Sequence, residues 1–179
     1  MSCVRFASAS TEYFTGPNWN GLGLTQAEVW VIIKVNNDPP GALADCGIWA
    51  LNDGTDIFRL CLFPFTDGAV YDTPFTQGTR TSNNFATTLA QWNAYYVSNS
   101  AGGPNTFNNF LNGTAGSTPQ NNGVVSPATV YLGRSSVTGF DAYLNGDVAE
   151  FFVFSVSTSG AQLSSIKSYM LSFYGITVS

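Results

Sequence analysis

Apolar and polar residues alternate along most of this chain in short runs, broken by Gly, Pro and Asn roughly every 8–15 residues. That rhythm predicts many short strands in an antiparallel sandwich or barrel. The strongest predicted strand is Glu28–Val35, closed by the Asn-Asn-Asp-Pro-Pro-Gly run at 36–41. Segments 47–51 and 57–63 flank Asn52-Asp-Gly-Thr55, a strong hairpin signal. Further strands are expected at 69–71, 94–98, Thr106–Leu111, 129–133 and 146–156, with turns at Asn112-Gly113 and Asn145-Gly146. The polar stretch 114–127 reads as a long surface loop.

One segment follows a different period. Leu163, Ile166, Met170 and Phe173 recur at 3-4-3 spacing, the stripe of an amphipathic helix over 160–174. Thr158 or Ser159 can cap its start, and Gly175 fits just past its end. All four stripe residues are expected to pack on the sheet. No internal repeat or interdomain linker interrupts the chain, so residues 1–179 read as a single domain, with 1–10 as an N-terminal arm.

Composition narrows the chemistry. In 179 residues only 9% are charged, the net charge is −5, and Ser, Thr and Asn together carry most of the polarity. There is no histidine, which excludes a Ser-His-Asp triad, a Cys-His pair and His-ligated metal. Arg5, Arg59, Arg80 and Arg134 are scattered and form no phosphate-tracking stripe, so nucleic acid is not an expected partner. The apolar runs fall far short of the ~18 residues of a membrane span. The start of the chain lacks the continuous apolar core of a signal peptide, so cytoplasmic synthesis is expected.

Cys3, Cys46 and Cys61 are too few for a disulfide framework. A symmetric hairpin centred on Asp53-Gly54 would set Cys46 directly across from Cys61. Facing Cβ atoms on paired strands lie ~4.5–5.5 Å apart, wider than a disulfide prefers, so two reduced thiols are expected.

Four stretches resemble laminin-G-like domains of the concanavalin A-like lectin/glucanase superfamily. They are VYLGR at 130–134, FDAYLNGDVAEFFVF at 140–154, QLSSI at 162–166 and YMLSFYGI at 169–176. Phe107–Leu111 with Asn112-Gly113 is similar to the family's strand-and-turn "LYVNG", and 59–72 to a variant of its aromatic-Asp strand. The resemblance implies an all-β jelly-roll sandwich of two antiparallel sheets with a short C-terminal helix. It also raises catalysis, because glycoside hydrolases share the superfamily. Those enzymes hold two carboxylates on one face, ~5–5.5 Å or ~6.5–9.5 Å apart. Asp147 and Glu150, three apart on one strand, should face opposite sides, and Asp53 and Asp56 flank a turn. No enzyme is expected.

Some laminin-G-like domains bind calcium, and Asp53, Asp56, Asp67 and Asp72 supply oxygen, but without an EF-hand spacing. The Asp-Gly pairs read first as turn formers, and no cofactor is expected. For sugar binding, aromatic rings serve as platforms and Asn, Asp and Arg bind hydroxyls. Trp19, Asp67, Tyr71, Asp72 and Arg80 are the candidates, whereas Trp30 and most Phe belong to the core.

Two functions fit. The first is a non-catalytic virion structural protein, a capsid decoration or head-fibre component of a phage. It would sit on the virion surface against a major capsid protein or its own copies, a trimer being favoured. The alternative is a free-standing carbohydrate-binding lectin module. A lectin-like chain that starts at Met1 without export signal, linker or anchor puts the virion role first. Uncharged Ser, Thr and Asn surfaces suit association through hydrogen bonds and apolar contacts.

Overall fold

The computed structural model describes residues 2–7, 10–16, 28–36, 46–52, 61–64, 69–73, 81–84, 90–100, 106–116, 120–121, 129–134, 142–154, 156 and 158–179. The first strands are β1 (Val4–Phe6), β2 (Phe14–Thr15), β3 (Glu28–Val35), β4 (Cys46–Gly47) and β5 (Trp49–Asn52). Then come β6 (Cys61–Pro64), β7 (Ala69–Thr73), β8 (Thr81–Asn84), β9 (Asn93–Ser100) and β10 (Thr106–Leu111). The series ends with β11 (Thr114–Ala115), β12 (Gln120–Asn121), β13 (Thr129–Leu132), β14 (Ala142–Tyr143) and β15 (Gly146–Phe154). One helix, α1 (Gly160–Tyr169), runs into a π-helical turn at Met170–Tyr174. Among the described residues no helix is long and apolar enough to cross a membrane.

Two antiparallel sheets build the jelly roll. A seven-stranded sheet has the order β1-β15-β3-β9-β10-β11, with β12 also on β10, and a six-stranded sheet has the order β2-β13-β5-β6-β7-β8. β14 and β4 form a small parallel pair. Between the sheets lie Val29, Val31, Ile33, Trp49, Tyr95, Val97, Val130 and Val148, with Phe6 sealing one edge. Trp30 and Ile32 point the other way, under Met170, Ile176 and Val178 of the C-terminal segment. β3 is therefore buried on both faces, which is why its sequence is a nearly unbroken apolar run rather than an alternating one.

The ends of the helix follow from its sequence. Ser159 closes a capping box: its hydroxyl accepts from Gln162 N, and its own N–H donates to Gln162 Oε1 at 2.8 Å. Gly175 ends the π turn in the left-handed region at φ 70°. The expected stripe changes at this turn. Met170 is fully buried and Leu163 and Ile166 pack on the sheet, but Phe173 is 62% exposed. A π turn needs one more residue to come round, so Tyr174 returns to the apolar face where an α-helix would have brought Phe173.

Three further differences concern the ladders. Cys61 pairs with Ala50, not with Cys46, because the β5–β6 ladder sets Trp49 against Leu62 and Ala50 against Cys61. Cys46 instead stands beside Ala142 on β14. Within 114–127, residues Thr114–Ala115 and Gln120–Asn121 are short strands on the outer edge of β10, which covers hydrogen-bonding groups that an edge strand would otherwise expose. Within 1–10, Val4–Phe6 is a strand of the large sheet and Phe6 is buried.

Candidate functional site

On β13 the side chains alternate. Val130 and Leu132 enter the core between the sheets, so Tyr131 belongs to the outer face of the six-stranded sheet. Its neighbours there are Thr15 on β2 and Ala50 on β5. Past β13, Gly133 takes φ 87° and delivers Arg134, which bridges to Tyr143 of β14. The Arg134 guanidinium carbon then lies 5.0 Å from the ring centroid of Tyr13, 5.5 Å from that of Tyr131 and 5.9 Å from that of Tyr143. The rings brace each other, Tyr13 lying 5.8 Å from Tyr131 and 5.9 Å from Tyr143.

Each ring attracts the cation through its electron-rich face, by about 0.5–1 kcal/mol at an exposed site. Three such contacts hold a flexible side chain in place. A planar guanidinium carries five N–H donors in a fixed fork, suited to hydroxyl and carboxylate oxygens. Tyr13 remains 40% exposed, so the cluster combines a donor fork with accessible aromatic surface.

The residues expected to bind sugar are placed as follows. Tyr71 and Asp72 are consecutive on β7. Along the six-stranded sheet β7 is reached from β13 through β5 and β6. Three strand spacings, about 14 Å, separate them. Asp72 pairs with Leu62 of β6. Trp19, Asp67 and Arg80 lie outside the described residues, as do Asp53 and Asp56. Among the described residues no group of three His, Cys, Asp or Glu side chains could hold a metal ion.

Reading the sequence missed Arg134 and its three tyrosines. Alternation within 130–132 marks Tyr131 as outward, but only the pairing of distant strands brings Tyr13 and Tyr143 to it. The carboxylate pair also needs correction. A β-bulge between Val148 and Glu150 adds one residue to β15, so Asp147 opposes Lys34 and Glu150 opposes Ile32, which share a face. Asp147 and Glu150 therefore share that face too. Both carboxylates are engaged. The Arg5 guanidinium donates to Asp147 and holds its carboxyl below the usual range, so it has no proton to give near neutrality. Glu150 accepts from the hydroxyls of Tyr169 and Tyr174.

No protein-family model matches the chain, and no curated protein matches it. Solved structures do. The CBM40 of the Ruminococcus gnavus IT-sialidase superposes with a TM-score of 0.64 at 14% identity, covering 93% of this chain and 96% of that one. The same module has been solved bound to alpha2,3 sialyllactose. The NanB sialidase of Streptococcus pneumoniae matches with a TM-score of 0.64 at 13% identity, over 91% of this chain but only 27% of the sialidase. Domains LG4-5 of the mouse laminin alpha1 chain match with a TM-score of 0.60 at 9% identity, over 82% of this chain and 40% of that one. At these identities the likeness is one of fold: this chain is built as the lectin-like jelly roll that sialidase carbohydrate-binding modules and laminin G domains share.

Proposed function

We propose that this protein is a non-catalytic carbohydrate-binding module whose glycan lies on the outer face of the six-stranded sheet. The observation that carries this reading is the Arg134 guanidinium held among the rings of Tyr13, Tyr131 and Tyr143. The rings offer apolar surface to the C–H face of a sugar, and the guanidinium edge donates to its hydroxyl or carboxylate oxygens. A match covering 96% of the chain of a sialidase CBM40 supports it, because the likeness runs over a carbohydrate-binding module. A virion role, first in the sequence reading, has no counterpart among these neighbours, so the lectin alternative takes precedence.

A glycan array tests the proposal, with acidic oligosaccharides such as alpha2,3 sialyllactose beside their neutral cores. The wild-type protein is expected to be retained on a subset of these sugars. Arg134→Ala and Tyr131→Ala should each weaken that retention at least tenfold while the circular dichroism spectrum is preserved. Retention on no glycan, or equal retention by both variants, would remove the assignment.

A further inference from the structure

The opposite side of the sandwich carries a second candidate. Between β15 and α1 an open groove of about 500 Å³ runs over Phe152, Phe154, Ile166 and Met170 and ends at Glu150 and Tyr169. It exists because the apolar contacts of α1 with the sheet come from Leu163 and Ile166, and no residue of α1 is fully buried. The volume falls within the range of small-molecule sites, ~300–1,000 Å³.

Its electrostatics are one-sided. Glu150 Oε1 takes hydrogen bonds from the Tyr169 and Tyr174 hydroxyls, and among the described residues no Lys or Arg forms an ion pair with Glu150. Other cations serve other partners: Lys167 Nζ donates to Ser179 O at 2.6 Å, Arg5 donates to Asp147, and Lys34 opposes Asp147 in the β15–β3 ladder. Burial and the adjacent carboxylate raise the Tyr174 hydroxyl above its ordinary range, so it stays a donor at neutral pH. Tyr169 in turn stacks on Phe173 at 5.5 Å, which steadies its ring at the mouth of the groove.

We propose that this groove binds a small organic ammonium ion carrying an apolar arm, with the charge at Glu150 beside the Tyr169 ring and the arm along Phe152, Phe154, Ile166 and Met170. Carboxylate and aromatic face both attract a cation and repel an anion. The apolar floor rejects a strongly hydrated ion and gives a neutral sugar few partners. A metal ion would find one carboxylate where it needs several ligands.

Titration of the isotope-labelled protein with phenethylammonium chloride, followed by amide NMR, tests this. Phenylacetate, with the same ring and opposite charge, and ethylammonium, with the charge but no ring, are the controls. Phenethylammonium should move the resonances of 150–154 and 165–170 and bind at least tenfold more tightly than either control. Glu150→Gln keeps an acceptor for the two tyrosines but removes the charge, and should weaken binding about tenfold. Ile166→Trp fills the groove and should abolish binding with Glu150 intact. Equal binding of phenylacetate, unmoved resonances in the wild type, or binding that survives both substitutions would overturn the proposal. The Arg134 face takes no part in it, so a negative glycan array leaves this test unaffected.

Discussion

Arg5 donates two hydrogen bonds to Asp147, from Nε at 2.7 Å and from Nη2 at 3.0 Å, and so ties the first strand to the last. The two residues are directly opposed in the β1–β15 register. Asp147 is buried while the Arg5 side chain is 74% exposed, so the arginine reaches in from solvent to neutralise a carboxylate that has lost its water.

This pair sets an acid limit. The hydrogen bond from Arg5 lowers the Asp147 pKa below its ordinary 3.8. A carboxylate with a depressed folded-state pKa contributes fully above the unfolded value and loses that contribution as pH falls through the folded one. Arg5→Ala should therefore lower the urea midpoint by a constant amount above about pH 5, and the gap to wild type should close below about pH 4. Urea unfolding at stepped pH measures it, and a gap that persists unchanged to pH 2.5 would show that Arg5 acts through packing instead.

The π turn makes a second prediction. Met170 is fully buried against Trp30 and Ile32, whereas Phe173 is 62% exposed. Met170→Ala should cost about 2–5 kcal/mol through lost contact and a residual cavity. Phe173→Ala should change stability by no more than about 0.5 kcal/mol, as exposed substitutions generally do. Denaturant midpoints of the two variants, compared at one pH, decide between this arrangement and a continuous α-helical stripe.

These elements also show what the sequence could reveal. β3 was legible because both of its faces are buried, which leaves an apolar run few other structures explain. Asn112-Gly113 turns β10 into β11 with φ of 49° and 86°, a conformation the two residue types announce. The helix start was legible in Ser159 and Gln162. The bulge beside Ala149 was not, since a single inserted residue has no compositional mark, yet it moves Glu150 across the sheet. The register that sets Cys61 against Ala50 was equally hidden, because composition alone does not mark it. The Arg134 site needed Tyr13, near the start of the chain, to meet β13 and β14 near its end.

Glu28 is 4% exposed and serves as acceptor for three donors. Oε1 accepts from Trp30 Nε1 at 2.5 Å and from Thr158 Oγ1 at 2.8 Å, and Oε2 accepts from Thr158 N at 3.2 Å. Together the three bonds fix the entry to α1. Glu28→Gln would set an N–H₂ against one of these donors and should cost about 1–3 kcal/mol. Thr158→Ala removes a hydroxyl but keeps the backbone bond, so its cost should be smaller, about 0.5–1.5 kcal/mol. Equal costs in urea unfolding would mean the carboxylate is held mainly by Thr158.

Gly133 links the fold to the candidate site. It lies between the inward Leu132 and the Arg134 that meets the tyrosines, and its φ of 87° makes the change of direction. Its N–H donates to Ile48 O at 2.7 Å and its carbonyl accepts from Leu144 N at 3.0 Å, so the backbone cannot relax without breaking both bonds. A Cβ here would meet the Phe6 ring at 2.5 Å, inside any real contact distance. Gly175 is the internal control, with φ 70° and nothing within 4 Å of an added Cβ. Gly175→Ala should thus show only the cost of a left-handed non-glycine residue, about 1–2 kcal/mol. Gly133→Ala should add an overpacking cost of about 1–3 kcal/mol and displace Phe6 from the sandwich edge. The two variants should differ in function as well. Gly133→Ala should weaken glycan retention by shifting Arg134 among its rings, and Gly175→Ala should leave retention at the wild-type level. Equal thermal shifts for the two variants would show that the loop around Gly133 yields, and that Arg134 is positioned by its tyrosines alone.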